Sequence, residues 1–206
     1  MHRILRFSVL ALSLLAFSKP AVALVEARVS YGLLATTADL GPLCPTCTAD
    51  APAIVPTIGL GADVIVTLPV PLVPGIGLRY EKMGLSASSN GVEFDAEYTR
   101  TAILFNWRPI DTILYLGPIF SYGISHSTSL KAVENGTTRA DFSADSVTSY
   151  SAGLEAGIKL IGFQVGAELG YMDFQWKDAK DKAGNAPIQD INMSGTYTKI
   201  LVGISI

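Results

Sequence analysis

Residues 114–125 read LYLGPIFSYGIS, and apolar residues alternate with small or polar ones through most of the stretch. Because successive side chains of a β-strand point to opposite faces, a period of two indicates a strand with two unlike faces. The apolar face holds Leu114, Leu116, Pro118, Phe120, Tyr122 and Ile124, and the other holds Gly117, Ser121, Gly123 and Ser125. A strand of about ten residues with this alternation is typical of β-barrels that cross a membrane.

The same alternation recurs in seven further stretches, which begin near Val25, Thr57, Ile76, Tyr98, Tyr150, Phe163 and Ile200. The sequence therefore predicts an all-β fold, an eight-stranded antiparallel transmembrane up-and-down β-barrel with both ends on one side. Short turns are expected at 69–74, 108–111 and 161–162, and long loops at 37–53, 85–91, 126–145 and 177–194. The alternation changes phase after Tyr98. This indicates either a β-bulge between Thr99 and Ala102 or a segment before Thr99 that lies outside the lipid.

The composition favours a membrane protein that crosses the lipid without helices. It is 49% hydrophobic and 16% charged, against about 25% charged in typical soluble domains. The most apolar stretch, 64–78, contains Pro69, Pro71 and Pro74, and prolines exclude a spanning helix there. A soluble β-sandwich also alternates, but the many glycines on the polar face favour a narrow barrel filled by a few long side chains. A net charge of −3 gives no reason to expect nucleic acid as a partner.

The first 23 residues have the pattern of a secretory signal peptide. Arg3 and Arg6 precede an uncharged apolar run, FSVLALSLLAF at 7–17, and Ala21 and Ala23 are small residues at the positions that a signal peptidase reads. We expect cleavage after Ala23, which leaves residues 24–206 as one barrel domain. The expected location is the outer membrane of a Gram-negative bacterium, with both termini periplasmic.

The polar strand faces carry acids and bases in near balance. By phase they point into one lumen, where an unpaired charge would be costly, so a lumenal charge network is expected. Its members are Glu26, Arg28, Asp63, Arg79, Glu81, Arg100, Glu155, Lys159, Glu168 and Lys199. The network is interpreted as a structural plug, with a gated ion path as the alternative.

Aromatic residues near the strand ends predict the girdles that mark the two membrane–water interfaces of a barrel. Tyrosines are expected at the outer level and other aromatics at the periplasmic level. The residues are Tyr80, Tyr98, Tyr122, Tyr150 and Tyr171, then Phe105, Trp107 and Phe163.

Cys44 and Cys47 stand in the motif CPTC, within the Pro-rich stretch GPLCPTCTADAP. A thioredoxin-like site needs this motif in a βαβ setting, and a zinc site needs more ligands. Exported cysteines meet an oxidising compartment, so we expect a local disulfide that shapes the first loop.

Other candidate sites are weaker. His126 lies among Ser125, Ser127 and Ser129, and is interpreted as a solvated loop residue. Asp178, Asp181 and Asp190 lack the spacing of an EF-hand. No catalytic residue, metal site or cofactor is predicted.

With these features the chain resembles the small eight-stranded outer-membrane barrels, the group of the outer-membrane protein A transmembrane domain and the outer-membrane protein W and X families. The last strand, YTKILVGISI at 197–206, resembles an assembly signal for the outer-membrane insertion machinery, although Ile206 stands where such signals usually end in an aromatic residue.

The resemblance implies a monomeric, non-enzymatic protein with a structural or surface-interaction role, in contact with outer-membrane lipids and lipopolysaccharide. The alternatives it raises are a narrow channel for ions or small hydrophobic solutes and, more distantly, a lipid-modifying enzyme. Against the last, the lipid A deacylases pair their histidine with a serine two positions later, where Thr128 stands here.

Overall fold

The computed structural model describes residues 24–36, 38, 43–44, 55–68, 73–89 and 91–206. The predicted signal peptide and Cys47 lie outside the described residues. The strands are β1 Leu24–Thr36, β2 Val55–Thr67, β3 Gly75–Ser89, β4 Val92–Asn106, β5 Ile110–Asp111, β6 Leu114–Glu134, β7 Thr137–Ser143, β8 Ser146–Leu160, β9 Phe163–Asp181, β10 Gln189–Asn192 and β11 Gly195–Ser205. No helix in these ranges is long and apolar enough to cross a membrane.

Eight of the strands close into an antiparallel ring in the order β1, β2, β3, β4, β6, β8, β9 and β11. The last strand returns to the first, from Glu26 opposite Ser205 to Thr36 opposite Gly195. Val25 and Ile206 complete this seam by exchanging two backbone hydrogen bonds of 2.9 Å. The predicted eight-stranded barrel is thus confirmed.

The two ends of the barrel differ. At one, the terminal end, lie both ends of the described chain and the turns at 107–113 and 161–162. At the other, the hairpin end, β3 joins β4, β6 joins β7 and β9 joins β10. The long loops expected at 85–91 and 126–145 are wrong for most of their length, and the loop expected at 177–194 is wrong for half of it, because the strands continue through them as paired hairpins.

The interior changes from polar to apolar along a single strand. In β4 the inward positions are Arg100, Ala102, Leu104 and Asn106 at the terminal end, and Val92, Phe94, Ala96 and Tyr98 at the hairpin end. The outward positions change in the opposite sense, from Ile103 and Phe105 to the exposed acids Glu93, Asp95 and Glu97. The half at the terminal end therefore turns apolar side chains outward, and the half at the hairpin end turns them inward.

A β-bulge in β6 lies near this transition. Thr101 of β4 pairs with Ser125, and Ala102 pairs with Gly123, so Ile124 is the extra residue. One extra residue reverses which side chains face inward, and His126 and Leu130 consequently occupy inward positions. The bulge expected in β4 between Thr99 and Ala102 is wrong, because the burial of β4 alternates without a break. The bulge at this level is in β6.

The hairpin half encloses a densely packed apolar cluster, here called the hairpin-end core. Its members are Leu34, Leu43, Cys44, Met83, Leu85, Ala87, Val92, Phe94, Ala96, Tyr98, Leu130, Ala132, Ala140, Phe142, Met172, Phe174, Trp176, Ala179, Ile191, Met193 and Tyr197. The pairing of β1 with β2 ends at Gly32 and Gly59, and Leu43 and Cys44 pack into the core from the segment that joins these strands.

The outer surface of the terminal half is an apolar band. The predicted girdle residues other than Tyr98 lie on it, between 39% and 65% exposed. Tyr98, expected in that girdle, instead faces the interior and is 1% exposed, because it precedes Thr99 in the segment whose apolar residues point inward. It contacts Phe174 at a ring-centroid distance of 4.4 Å.

Glycines let two inward tyrosines lie against the barrel wall. Gly157 pairs with Gly166 across β8 and β9, and a Cβ at either position would occupy the space that the Tyr115 hydroxyl fills. Gly153 and Gly170 leave space for the Tyr197 hydroxyl in the same way. The glycine-rich inner face therefore provides the space for large polar side chains in a narrow lumen.

Candidate functional site

The structure places all ten residues of the expected lumenal network inside the barrel. Nine are buried, with at most 3% of the residue exposed, and the Lys159 side chain at the terminal end is 15% exposed. They come from seven of the eight ring strands, all except β6, and converge because each occupies a position on the inner face. Three levels can be distinguished along the barrel axis.

Arg79 is the centre of the middle level. Its guanidinium donates two hydrogen bonds to Asp63, at 2.8 and 2.9 Å, and two to Glu168, at 2.8 and 2.7 Å. Arg28 joins the same Asp63 at 2.8 Å and reaches Glu155 at 2.7 Å. Paired two-point contacts between guanidinium and carboxylate are strong and directional, so this level fixes β1, β2, β3, β8 and β9 relative to one another.

Arg100 organises the level next to the hairpin-end core. It donates to Glu81 at 2.6 Å and to hydroxyl oxygens on the next two strands of the ring, Ser121 of β6 at 2.9 Å and Ser151 of β8 at 3.2 Å. Lys199 also pairs with Glu81, and its ammonium lies 4.2 Å from the ring centre of Tyr197. Charged groups thus extend along the lumen up to the hairpin-end core.

Arg108 was missed by the sequence analysis, which placed it in a turn. Its side chain folds into the terminal end of the lumen, pairs with Glu26 at 2.6 Å and with Glu155, and lies 4.3 Å from the ring centre of Tyr115. The Trp107 amide donates to the Pro118 carbonyl at 3.1 Å, but proline has no amide to return that bond. The β4–β6 ladder ends there, and the next residue, Arg108, is released towards the lumen.

The network is balanced in charge. Arg108 adds a base, and Asp111, which pairs with Lys159 at 2.6 Å, adds an acid at the mouth. Each guanidinium, ammonium and carboxylate of the network has at least one oppositely charged partner among the described side chains. Such an arrangement can hold strands in register, and it offers no excess charge to attract an ion of one sign.

His126 is not the solvated loop residue that was expected. Its Nε2 lies 2.8 Å from Ser149 Oγ, and its ring meets Phe174 edge-on at 5.8 Å. A histidine beside a serine is the geometry of an activated nucleophile, but Ser149 is 1% exposed and also bonds Arg100 at 3.3 Å. The cationic neighbour is the opposite of the carboxylate that usually orients such a histidine.

At the hairpin end, Asp181 anchors the chain between β9 and β10. It accepts backbone hydrogen bonds from Asp141, Ala183, Asn185 and Ala186, between 2.7 and 2.9 Å. Partial burial alone would raise the pKa of this carboxyl, but the four amide donors outweigh it and hold the pKa below its usual range. Asp181 is thus a structural residue of the hairpin tip.

Asp178, Asp181 and Asp190 do not converge on a metal site. In the part of the chain that the structure describes, no group of three or more His, Cys, Asp and Glu side chains is arranged to hold an ion. Asp190 instead pairs with Lys177 at 2.9 Å and accepts the Asp178 amide at 3.0 Å. Cys44 is buried in the hairpin-end core, and its disulfide with Cys47 stays a prediction.

Comparison with solved structures agrees with this architecture. A major outer membrane protein of Thermus thermophilus superposes with a TM-score of 0.53 at 10% identity, over 88% of this chain and 99% of that chain. OprG of Pseudomonas aeruginosa gives 0.49 at 9% identity, over 90% and 97%. The outer membrane protease OmpT of Escherichia coli gives 0.47 at 10% identity, over 91% and 97%.

The likeness to the Thermus thermophilus protein defines the class of fold: the chain has the fold of the outer-membrane β-barrel proteins. At about 10% identity it carries no activity from one protein to the other. No protein-family model and no curated protein matches the sequence. The role of this particular barrel therefore has to be argued from its own residues.

The Arg79→Ala variant tests the central role of the network. The substitution leaves Asp63 and Glu168 buried without their shared cation, and breaking such a buried pair typically costs about 3–5 kcal/mol. We expect a loss of unfolding free energy of that order, measured by urea titration of protein folded into lipid vesicles. Lys82→Ala is the matched control, because its ion pair with Glu97 lies on the surface and contributes little. Equal stability of the two variants would contradict the structural role.

Proposed function

We propose that this protein is an integral outer-membrane barrel whose sealed lumen anchors a rigid β-structured extension at the cell surface. The terminal end faces the periplasm, and the hairpin end makes contacts outside the cell. Lipids and lipopolysaccharide surround the apolar band, and the insertion machinery assembles the monomeric barrel.

The reversal of polarity along the strands carries this proposal. A transmembrane strand needs about 9–11 residues, whereas β6 has 21 and β9 has 19. In the part beyond the girdle, polar residues point outward and apolar residues inward, which is the pattern of a strand surrounded by water. An extension with its own apolar core is a folded platform rather than a set of loops, and exposed segments on rigid scaffolds are common binding surfaces.

An enzymatic role has little support from the geometry. His126 and Ser149 are the pair that resembles catalytic machinery, but their polar atoms point into a packed interior beside Arg100. Ser149, which would be the nucleophile, is buried, and the Phe174 ring packs against His126. We therefore infer a binding or structural role and no catalysis.

Labelling from outside the cell tests the orientation. Thr137→Cys lies at a hairpin tip and Thr112→Cys in a turn at the terminal end, and both positions are exposed. A membrane-impermeant maleimide should label Thr137→Cys on intact cells, and Thr112→Cys only after permeabilisation. The unsubstituted protein controls for reaction at Cys44 and Cys47. The reverse labelling pattern would refute the proposed orientation.

The alternative to a sealed lumen is a lumen that conducts ions. The balanced network and the hairpin-end core lie in series along the axis, so a change in one leaves the other closed. We expect no single-channel steps from the purified, folded protein in planar bilayers, and none from Arg79→Ala. Discrete steps from the unsubstituted protein, with folding checked by heat-modifiable gel mobility, would overturn the sealed-lumen proposal.

Entry of a small hydrophobic solute through the wall is a second candidate, favoured by one observation. A cavity of about 250 Å³ opens on the outer surface where Ile58 and Gly59 are skipped in the β2–β3 pairing, and its lining includes the core residues Met83 and Ala96. Ile58 and Leu60 form its apolar rim, next to the ion pair of Lys82 with Glu97.

Uptake of an apolar fluorescent dye by expressing cells tests this second candidate. If the cavity admits solutes, Ile58→Asp should slow uptake, because a charge at the rim opposes entry of an apolar molecule. Val55→Asp is the matched control, on the same strand and also exposed to solvent, but outside the cavity lining. Uptake that is no faster than in cells without the protein would exclude solute entry.

A further inference from the structure

A second depression on the outer wall lies inside the apolar band, near the terminal end. It has a volume of about 250 Å³ and is here called the outer groove. It is lined by Pro74, Phe105, Trp107, Pro118, Ile119, Phe120, Ala152 and Gly153. None of these residues is charged, and the outward rings of Phe105 and Phe120 lie 6.4 Å apart at its rim.

Neighbouring side chains of unequal size create the groove. Phe120 of β6 pairs with Phe105 of β4 on one side, but with the small Ala152 of β8 on the other. Trp107 lies just beyond the β4–β6 ladder, which ends at Pro118. Large rings therefore form the walls, while a methyl group and a proline form the floor.

The surroundings decide which molecule fills the groove. It extends from Trp107, in the girdle near the terminal end, towards the paired girdle residues Tyr122 and Tyr150, so hydrocarbon rather than water covers most of it in a membrane. A groove with apolar and aromatic walls and no charge suits a flexible alkyl chain, and it offers nothing to hold a polar headgroup. At the end of the barrel that is proposed to face the periplasm, the available lipid is phospholipid.

We propose that the outer groove binds one acyl chain of a phospholipid from the leaflet next to the terminal end. This inference rests on the proposed membrane location and adds a specific lipid site to it. The site differs from general solvation by lipid in that the chain occupies a fixed depression and is held more persistently than its neighbours.

The tryptophans make the site observable. The chain has two: Trp107 lines the groove, half-exposed, whereas Trp176 is fully buried in the hairpin-end core. Bromine atoms on an acyl chain quench tryptophan fluorescence on contact, so brominated phospholipid should quench Trp107 and leave Trp176 unaffected. A Trp107→Phe variant supplies the Trp176 background.

The experiment compares quenching at a low fraction of brominated phospholipid in vesicles of otherwise unbrominated phospholipid. Ala152→Leu fills the groove, and Ala167→Leu adds the same side chain to an outward position of β9 that pairs with Ala156, away from the groove. We expect strong quenching in the unsubstituted protein and in Ala167→Leu, and about half as much in Ala152→Leu, since the added side chain takes the place of the alkyl chain. Ala152→Val serves if Ala152→Leu does not fold.

Three other outcomes would refute the acyl-chain site, each for a different reason. Equal quenching in all folded variants would mean that Trp107 meets only exchanging lipid. A covalent or native-mass dimer that Ala152→Leu abolishes would make the occupant a second copy of the chain. Absence of quenching in every variant would show that the apolar band does not contact lipid, and it would refute the proposed membrane function. Reduced quenching in Ala152→Leu alone, with heat-modifiable mobility retained, supports the acyl-chain site.

Discussion

The hydrophobic effect acts on this barrel from opposite sides in its two halves, and the rest of the structure follows from that constraint. In lipid, apolar side chains gain nothing by turning inward, because the surroundings are already apolar. Once the strands pass into water, the same side chains are stabilised only by burial inside. Phe105 and Phe94 lie on the same strand and face opposite ways for this reason. The ion-pair network fills the lumen where apolar groups are needed outside, and the hairpin-end core fills it where they are not.

The network also links folding of the individual strands to closure of the ring. Arg79 on β3 bonds Asp63 on its neighbour β2, but its other partner, Glu168, lies across the lumen on β9. Arg28 on β1 likewise reaches Glu155 on β8. A half-formed sheet would expose these groups to lipid without their partners, at a high free-energy cost. The complete set of ion pairs exists only in the closed barrel, which favours cooperative assembly.

Much of the barrel is predictable from alternation, and the errors have physical causes. The eight strands and the inward charges follow from a period of two with apolar residues outward. The hairpins were missed because that criterion fails beyond the lipid: in 92–98, VEFDAEY, the alternation is perfect but its apolar members point inward. Tyr98 was misplaced for the same reason. Arg108 follows the end of its strand, and only the proline opposite, Pro118, signals that the chain leaves the ladder there. The pairing of His126 with Ser149 depends on a one-residue bulge that periodicity alone cannot locate.

That bulge has a consequence for how such a protein changes over evolutionary time. A single added residue at Ile124 exchanges the inner and outer faces of everything beyond it in β6. Insertions or deletions of two residues in the hairpins preserve the faces and alter only the height of the platform, whereas changes of one residue invert them. The length of the extension should therefore drift among descendants in steps of two, while the membrane half keeps its length, since the thickness of the bilayer fixes it.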